Sequence, residues 1–293
     1  MTSALHPLRV ACAQIETVPG DRDANVARHL AVIDEARGRG VDLLLFPELS
    51  LVGYAIGERT LALALHRRDP IIGRLAEAAG PMTVVFGLIE EGPAAQFYNC
   101  AIAVRDGDIV FLHRKINLPS YGALEEGKHF ADGRYVETFA VADPWIASVQ
   151  ICADMWNPAL VHLAALHGAT LLLGPISSAV EAVGAEFDNP AGWSLNARFY
   201  AMTYGMPVAI CNRIGVESGL HFYGQSRILD PFGAVLAEAG SEETLLVADL
   251  DYADLRRARY LLPTVRDSDL ELVAREIDRL IGILGVPDVV RRG

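Results

Sequence analysis

An α/β fold, laid out as one four-layer α-β-β-α sandwich, is what this sequence predicts. Two observations carry the expectation. In both halves of the chain, apolar runs of strand length alternate with stretches of helical character, which suggests two sheets packed together with helices outside. No short internal repeat and no linker divides the 293 residues, so 1–293 read as a single domain. Apolar residues at 52%, against 21% charged, are enough to bury a substantial core.

Taken in order, residues 8–15 read as a buried strand turned by Pro19-Gly20. Asp23 or Asn25 can cap a helix bearing Val26, Leu30 and Ile33 at helical spacing, and Gly38 and Gly40 end it. Residues 42–46 form the next strand, which stops at Pro47-Glu48; a strand–helix–strand unit predicts parallel pairing. A helix over 70–79 precedes strands at 82–89, 98–104 and 109–113, with Asp106-Gly107 as a hairpin signal between the last two. Residues 114–133, rich in charge, Gly and Pro, read as an irregular surface segment of the kind that often carries function.

The second half opens with strands at 135–141 and 145–151. Asn157 can cap a helix through His167, with Pro158 in its first turn. A strand at 170–173, a loop at 174–192 and a helix at 193–204 follow. Strands at 207–211, 222–229 and 244–250 complete the set, with a turn at Asp230-Pro231-Phe232-Gly233. Ser268 and Glu271 form a capping box. Beyond it Leu270, Val273, Ile277, Leu280, Ile281 and Leu284 share one broad face, so 267–293 read as a C-terminal helix and tail. That face suits packing on the body or on a second copy, in a dimer or larger homo-oligomer.

Twenty-five basic residues against 37 acidic ones leave a formal charge of −12, which argues against nucleic acid and anionic membrane as partners. Cys12, Cys100, Cys152 and Cys211 are far apart with no C-x-x-C pairing, so a reducing cytoplasm is expected rather than a disulfide framework or zinc knuckle. The first ten residues have no apolar export segment, and no apolar run approaches a membrane span. His162 and His167 do not share a helix face, which disfavours a metal pair, and Arg256, Arg257 and Arg259 read as solvated or interface charges.

Chemistry gathers at strand ends in open α/β sheets. Cys152 ends one apolar strand close to a helix start, where oriented amides and the helix dipole favour a thiolate. Glu48 follows another strand directly, so partial burial would raise its pKa and suit a base. Lys115 follows a third. Each alone has an ordinary explanation: a buried structural cysteine, a solvated carboxylate, a surface cation.

Together, Leu45-Phe46-Pro47-Glu48, His113-Arg114-Lys115-Ile116-Asn117-Leu118-Pro119 and Ile151-Cys152-Ala153-Asp154 closely resemble the nitrilase, or carbon–nitrogen hydrolase, superfamily in order and spacing. The likeness extends to Leu51-Val52-Gly53-Tyr54, Asn212-Arg213-Ile214-Gly215 and Phe222-Tyr223-Gly224-Gln225-Ser226, nearly the whole chain. It implies an α-β-β-α sandwich, usually oligomeric, with a Glu-Lys-Cys site and no metal or organic cofactor. By position, Glu48 would be the general base, Cys152 the nucleophile that forms a thioester, and Lys115 the oxyanion stabiliser, helped by the Ala153 N–H. A second glutamate would position the lysine. The 118–130 stretch resembles the glutaminase domains of NAD synthetases and points to Glu126, with Glu125 adjacent.

The resemblance also bears on substrate. Ala153-Asp154 after the cysteine, where nitrile-acting members tend to have Trp-Glu, implies a carbonyl amide. The 293 residues show no ATP-pyrophosphatase domain or Ser-Gly-Gly loop, so an NAD synthetase is not expected. Residues 174–192 contain no arginine to pair a substrate carboxylate. The expected substrate is a small linear amide with at most one charged end, lined by Tyr54, Tyr121, Trp156, Ser177 and Ser178. A glutaminase, an N-carbamoyl amidohydrolase, a nitrilase and a catalytically silent partner subunit are the alternatives. One departure is Pro158-Ala159, where many relatives have Pro-Glu; it bears on substrate choice or helix-end packing.

Overall fold

The computed structural model describes residues 7–184 and 186–284. β1 (Leu8–Gln14) leads through α1 (Arg22–Gly38) to β2 (Leu43–Leu45), and the two strands pair in parallel. After α2 (Thr60–Leu63) and α3 (Pro70–Ala79) come β3 (Thr83–Glu91), β4 (Phe97–Arg105) and β5 (Asp108–Arg114). Asp106 and Gly107 both take positive φ, 53° and 86°, the conformation a two-residue hairpin requires. The second half supplies β6 (Phe139–Ala142), β7 (Trp145–Val149), α4 (Pro158–Leu166), β8 (Leu171–Pro175), α5 (Asn189–Tyr204) and β9 (Val208–Cys211). Then follow β10 (Ile214–Glu217), β11 (Leu220–Tyr223), β12 (Arg227–Leu229), β13 (Val235–Glu238), β14 (Thr244–Leu250), α6 (Tyr252–Leu261) and α7 (Leu270–Leu284).

Two six-stranded sheets result, ordered β14-β1-β2-β3-β4-β5 and β13-β12-β9-β8-β7-β6. Side-chain alternation along β1 shows how they stack. Val10 and Cys12 join a core shared with Val149, Leu171 and Ile210 of the other sheet. Ala11 and Ala13 point the opposite way, into a second core with Val26 and Ile33 of α1 and Leu75 of α3. Trp193, Ala197 and Tyr200 of α5 and Val161 of α4 cover the far face of the second sheet. The order of layers is therefore helix, sheet, sheet, helix, as the sequence predicts. Strands buried on both faces are apolar throughout, which is why they read as unbroken runs.

Several local expectations are corrected. Asp21, not Asp23 or Asn25, caps α1, its Oδ1 accepting from Ala24 N at 3.0 Å. Asn25 instead turns inward, where its amide bonds Val18 and Leu51 backbone groups. The strand expected over 135–141 is confined to β6. α5 begins earlier than expected because Asp188 caps it at Ala191 N. The run 222–229 is two strands in different sheets, broken where Gly224 and Gln225 take φ of 72° and 56°. β10 and β13 are short and escaped the reading, as did α6. Arg259 is not a solvated charge: its guanidinium donates to the Tyr204 and Ala169 carbonyls. α7 is capped by Asp269, which accepts from Leu272 N, while Ser268 Oγ donates to Thr264 O. None of its residues is buried, so its apolar face does not pack on the body. The tail at 285–293 lies outside the described residues. Among those described, no helix is long and apolar enough to cross a membrane.

β3 passes closely beneath the turn that carries Glu48. A Cβ on Gly87 would lie 2.2 Å from Leu49 N and 2.8 Å from the Glu48 carbonyl carbon, both backbone atoms. Gly87→Ala should therefore cost roughly 1–3 kcal/mol through overpacking. Urea unfolding would show this, and an unchanged midpoint would mean the turn yields without penalty.

Candidate active site

Glu48 and Lys115 project beyond β2 and β5 of the first sheet, and Cys152 lies beyond β7 of the second. Leu49 and Cys152 adopt φ of 50° and 45°, uncommon for residues with a side chain. The chain thus turns sharply at both strand ends, which aims Glu48 and Cys152 between the sheets.

At the centre, Lys115 Nζ donates to Glu48 Oε1 and to Glu126 Oε1, each at 2.6 Å. Lys115 is fully buried, as is Glu48 at 1% exposure. Burial opposes the ammonium, but the Glu126 and Glu48 carboxylates outweigh it and hold the Lys115 pKa well above the usual lysine value. Burial likewise pushes the Glu126 carboxyl up to about 7, with Glu48 adding to the rise while Lys115 and the Tyr54 hydroxyl oppose it. Of the neighbouring pair, Glu126 reaches the lysine and Glu125 faces solvent.

The surroundings of Cys152 oppose the expected thiolate. Burial first, and then the Glu48 charge, push its thiol well above the usual range, with only partial relief from Lys115. It opens a short 3-10 turn, Cys152–Trp156, and α4 starts only at Pro158, so the helix dipole is remote. A neutral thiol beside a carboxylate needs a base before it can attack.

Other residues hold this cluster. Asp154 accepts from His113 Nε2, Ile116 N, Asn117 N and Ile151 N, tying the Lys115 strand end to the Cys152 turn. Ser177 donates its N–H to Glu48 Oε2 and its hydroxyl to Glu48 O, both at 2.9 Å. The Ser178 hydroxyl accepts from Asn189 Nδ2 at 2.8 Å. Both serines thus engage protein groups. Tyr54 donates its hydroxyl to Glu126 Oε1 at 2.5 Å. Its loop is anchored by Glu217, which accepts the Tyr54 and Ala55 N–H groups and pairs with buried Arg213.

Tyr121 and Trp156 stand at the mouth, half-exposed. With Ala153, Asn117, Asn157 and Asp132 they line a cleft of about 420 Å³. Trp156 meets Phe187 and Trp193 edge to face at 5.7 and 5.1 Å between centroids. The Tyr121 loop abuts the 176–184 loop closely enough that a Cβ on Gly122 would lie 2.2 Å from Ala182 O.

Sequence reading missed Asn99, whose Nδ2 donates to Glu48 Oε1 at 2.8 Å and Glu126 Oε2 at 3.3 Å. Its signal was an asparagine inside an otherwise apolar strand, where that residue is depleted. Asp154 was read only as a substrate-class marker, and Glu217 not at all.

The family model described as Carbon-nitrogen hydrolase matches residues 9–260. The chain belongs to the carbon-nitrogen hydrolase family. It is 31% identical over 264 residues to a glutamine-dependent NAD(+) synthetase of Thermotoga maritima, a match covering 88% of this chain and 45% of that one. The chain thus spans about half the length of such a synthetase. It is 29% identical to an N-carbamoylputrescine amidase of Solanum tuberosum, covering 84% of this chain and 87% of that one. Among solved structures, a mutant amidase from Nesterenkonia sp. AN1 aligns with a TM-score of 0.78 and 26% identity, over 92% of this chain and 97% of that one. That crystal structure shows the acetamide moiety of fluoroacetamide added covalently at the active-site cysteine.

The raised Glu126 pKa carries a stability consequence. Its folded-state value of about 7 exceeds the ordinary 4.5, so its contribution is fully present at low pH and is lost as pH rises through neutrality. Between about pH 5 and about pH 8, the urea midpoint of the wild type should fall more than that of Glu126→Gln. Parallel profiles would remove Glu126 as the titrating group.

Proposed function

We propose that this protein is a cysteine amidohydrolase that cleaves small linear amides through a thioester and releases ammonia. The observation that carries the reading is the buried ion cluster in which the Lys115 ammonium bridges the Glu48 and Glu126 carboxyl groups at 2.6 Å beside the Cys152 turn. Glu48 takes the Sγ proton as the sulfur bonds the substrate carbonyl carbon. Negative charge forms on the carbonyl oxygen, and Lys115 Nζ and the Ala153 N–H stabilise it. As the C–N bond breaks, the proton held by Glu48 passes to the departing nitrogen, and ammonia leaves. Water then attacks the thioester carbon after giving a proton to Glu48. The acid departs and that proton returns to sulfur, which balances the cycle without a metal or organic cofactor. Glu126, held by Tyr54, keeps Lys115 in place throughout.

The mouth supports a substrate with a neutral or cationic tail. Asp132 is the charged residue among the cleft's lining, and aromatic faces flank it. An anionic tail such as that of glutamine would meet a carboxylate and no arginine. The second reading is therefore an N-carbamoyl amidohydrolase acting on a carbamoyl amine, which offers the same C–N bond with a cationic tail. The decisive measurement is ammonia release from short aliphatic amides, N-carbamoyl amines, ω-amido acids, glutamine and nitriles. Activity should appear on the first two classes and fall at least about 1,000-fold in Cys152→Ala, as for loss of a catalytic nucleophile. Preference for glutamine, or activity surviving in that variant, would overturn the reading.

We also propose that the chain works as a homo-oligomer in a reducing cytoplasm. All four cysteines are free. Exposed Ile277, Leu280 and Ile281 on α7 form an apolar stripe that a second copy would cover. Light scattering should give at least a dimer, and Ile277→Asp with Leu280→Asp should lower the mass. A monomeric wild type would refute the assembly.

A further inference from the structure

Asn99 touches every member of the central ion cluster from one position in β4. Its backbone carbonyl accepts the Lys115 N–H at 2.8 Å, which sets the strand end from which the lysine projects. Its side-chain Nδ2 donates to both carboxylates that hold that lysine. The residue is 1% exposed, and its Oδ1 has no partner among the described residues. Turning the amide over would bring that oxygen against two carboxylates, so the orphaned acceptor is the consequence of keeping the donor where it is. An apolar residue here would remove that orphaned oxygen but strip Glu126 Oε2 and Glu48 Oε1 of a donor.

The reason lies in counting donors. An ammonium has three N–H groups, and Lys115 uses two of them on Glu48 and Glu126. Glu48 Oε2 is served by Ser177 and Glu126 Oε1 also by Tyr54, whereas Glu126 Oε2 receives only Asn99 among the described contacts. Without that donor, Glu126 Oε2 would draw the third lysine N–H, the one needed for the substrate oxygen. We infer that Asn99 is a positioning residue that locks both carboxylates and so leaves the third Lys115 N–H free for the developing oxyanion. The inference rests on the amidohydrolase reading of the site.

Asn99→Leu keeps the branched outline and removes both polar groups of the amide. Asn99→Asp keeps the shape but donates only when protonated. The groups facing this position are Glu48, Glu126, Lys115, Cys152 and Tyr54, and losing a donor to the carboxylates favours their protonated forms. Both variants should lose about 10- to 100-fold in kcat, the range for a hydrogen bond to a charged group, with KM little changed. The acid limb of kcat/KM should move to higher pH, and so should the pH dependence of Cys152 alkylation by iodoacetamide. Should Asn99→Leu fail to fold, Asn99→Ser carries the same test. Profiles that superimpose on the wild type, or a loss confined to stability, would overturn the inference. Alkylation needs no turnover. A wild type silent on every amide, with an alkylation profile that still shifts in the variants, would sink the amidohydrolase reading and leave standing only the locking of the two carboxylates by Asn99.

Discussion

The buried Lys115 ammonium between Glu48 and Glu126 is the constraint on which the rest of the structure depends. An isolated ammonium in a dry interior would lose its proton or open the fold, because burial disfavours the charged form by several kcal/mol. Two carboxylates at 2.6 Å reverse that balance for the lysine. They create a second imbalance, since two negative charges now face one positive. The protein meets it with neutral donors: Tyr54 on Glu126, Ser177 on Glu48 and Asn99 on both. Burial and the Glu48 carboxylate push the Cys152 thiol up, which fits the proposed reaction, in which Glu48 takes the thiol proton first.

Holding such a cluster needs rigid support from both sheets. Glu48 and Lys115 come from one sheet, Cys152 and Ser177 from the other, and hydrogen bonds to Asp154 stitch the two together. The left-handed backbone at Leu49 and Cys152 is affordable only because the strands beneath are close-packed. Gly87 allows β3 to approach the Glu48 turn, and Gly122 allows the Tyr121 loop to meet the 176–184 loop at the mouth. Fold and site are therefore one packing problem. The sandwich leaves a polar seam where its strands end, and the cluster fills that seam.

The parts of this arrangement legible in the sequence are those written locally. Apolar runs marked the strands, Asn157-Pro158 marked the start of α4, and Asp106-Gly107 marked a hairpin. Errors arose where a local signal had a rival. Asn25 was a sound capping residue in isolation, yet its amide is used inside the core. The 222–229 run looked like one strand because Phe222-Tyr223 and Ile228-Leu229 are strand-like at its two ends. Ser268 lost the α7 cap to its neighbour Asp269.

By itself, the sequence determined the order of most of the strands and helices, the presence of a Glu-Lys-Cys set at strand ends, and the likeness to carbon–nitrogen hydrolases. These follow from periodicity, turn chemistry and motifs, all of them short-range. Only the tertiary structure decided between Glu125 and Glu126, recruited Asn99, turned Ser177 toward Glu48 and gave Cys152 a neutral thiol. Each of these depends on a contact between distant parts of the chain, such as Glu48 with Ser177, 129 residues apart. Burial and neighbouring charge set a side chain's protonation and hydrogen bonds, and neither exists until the two sheets close on each other.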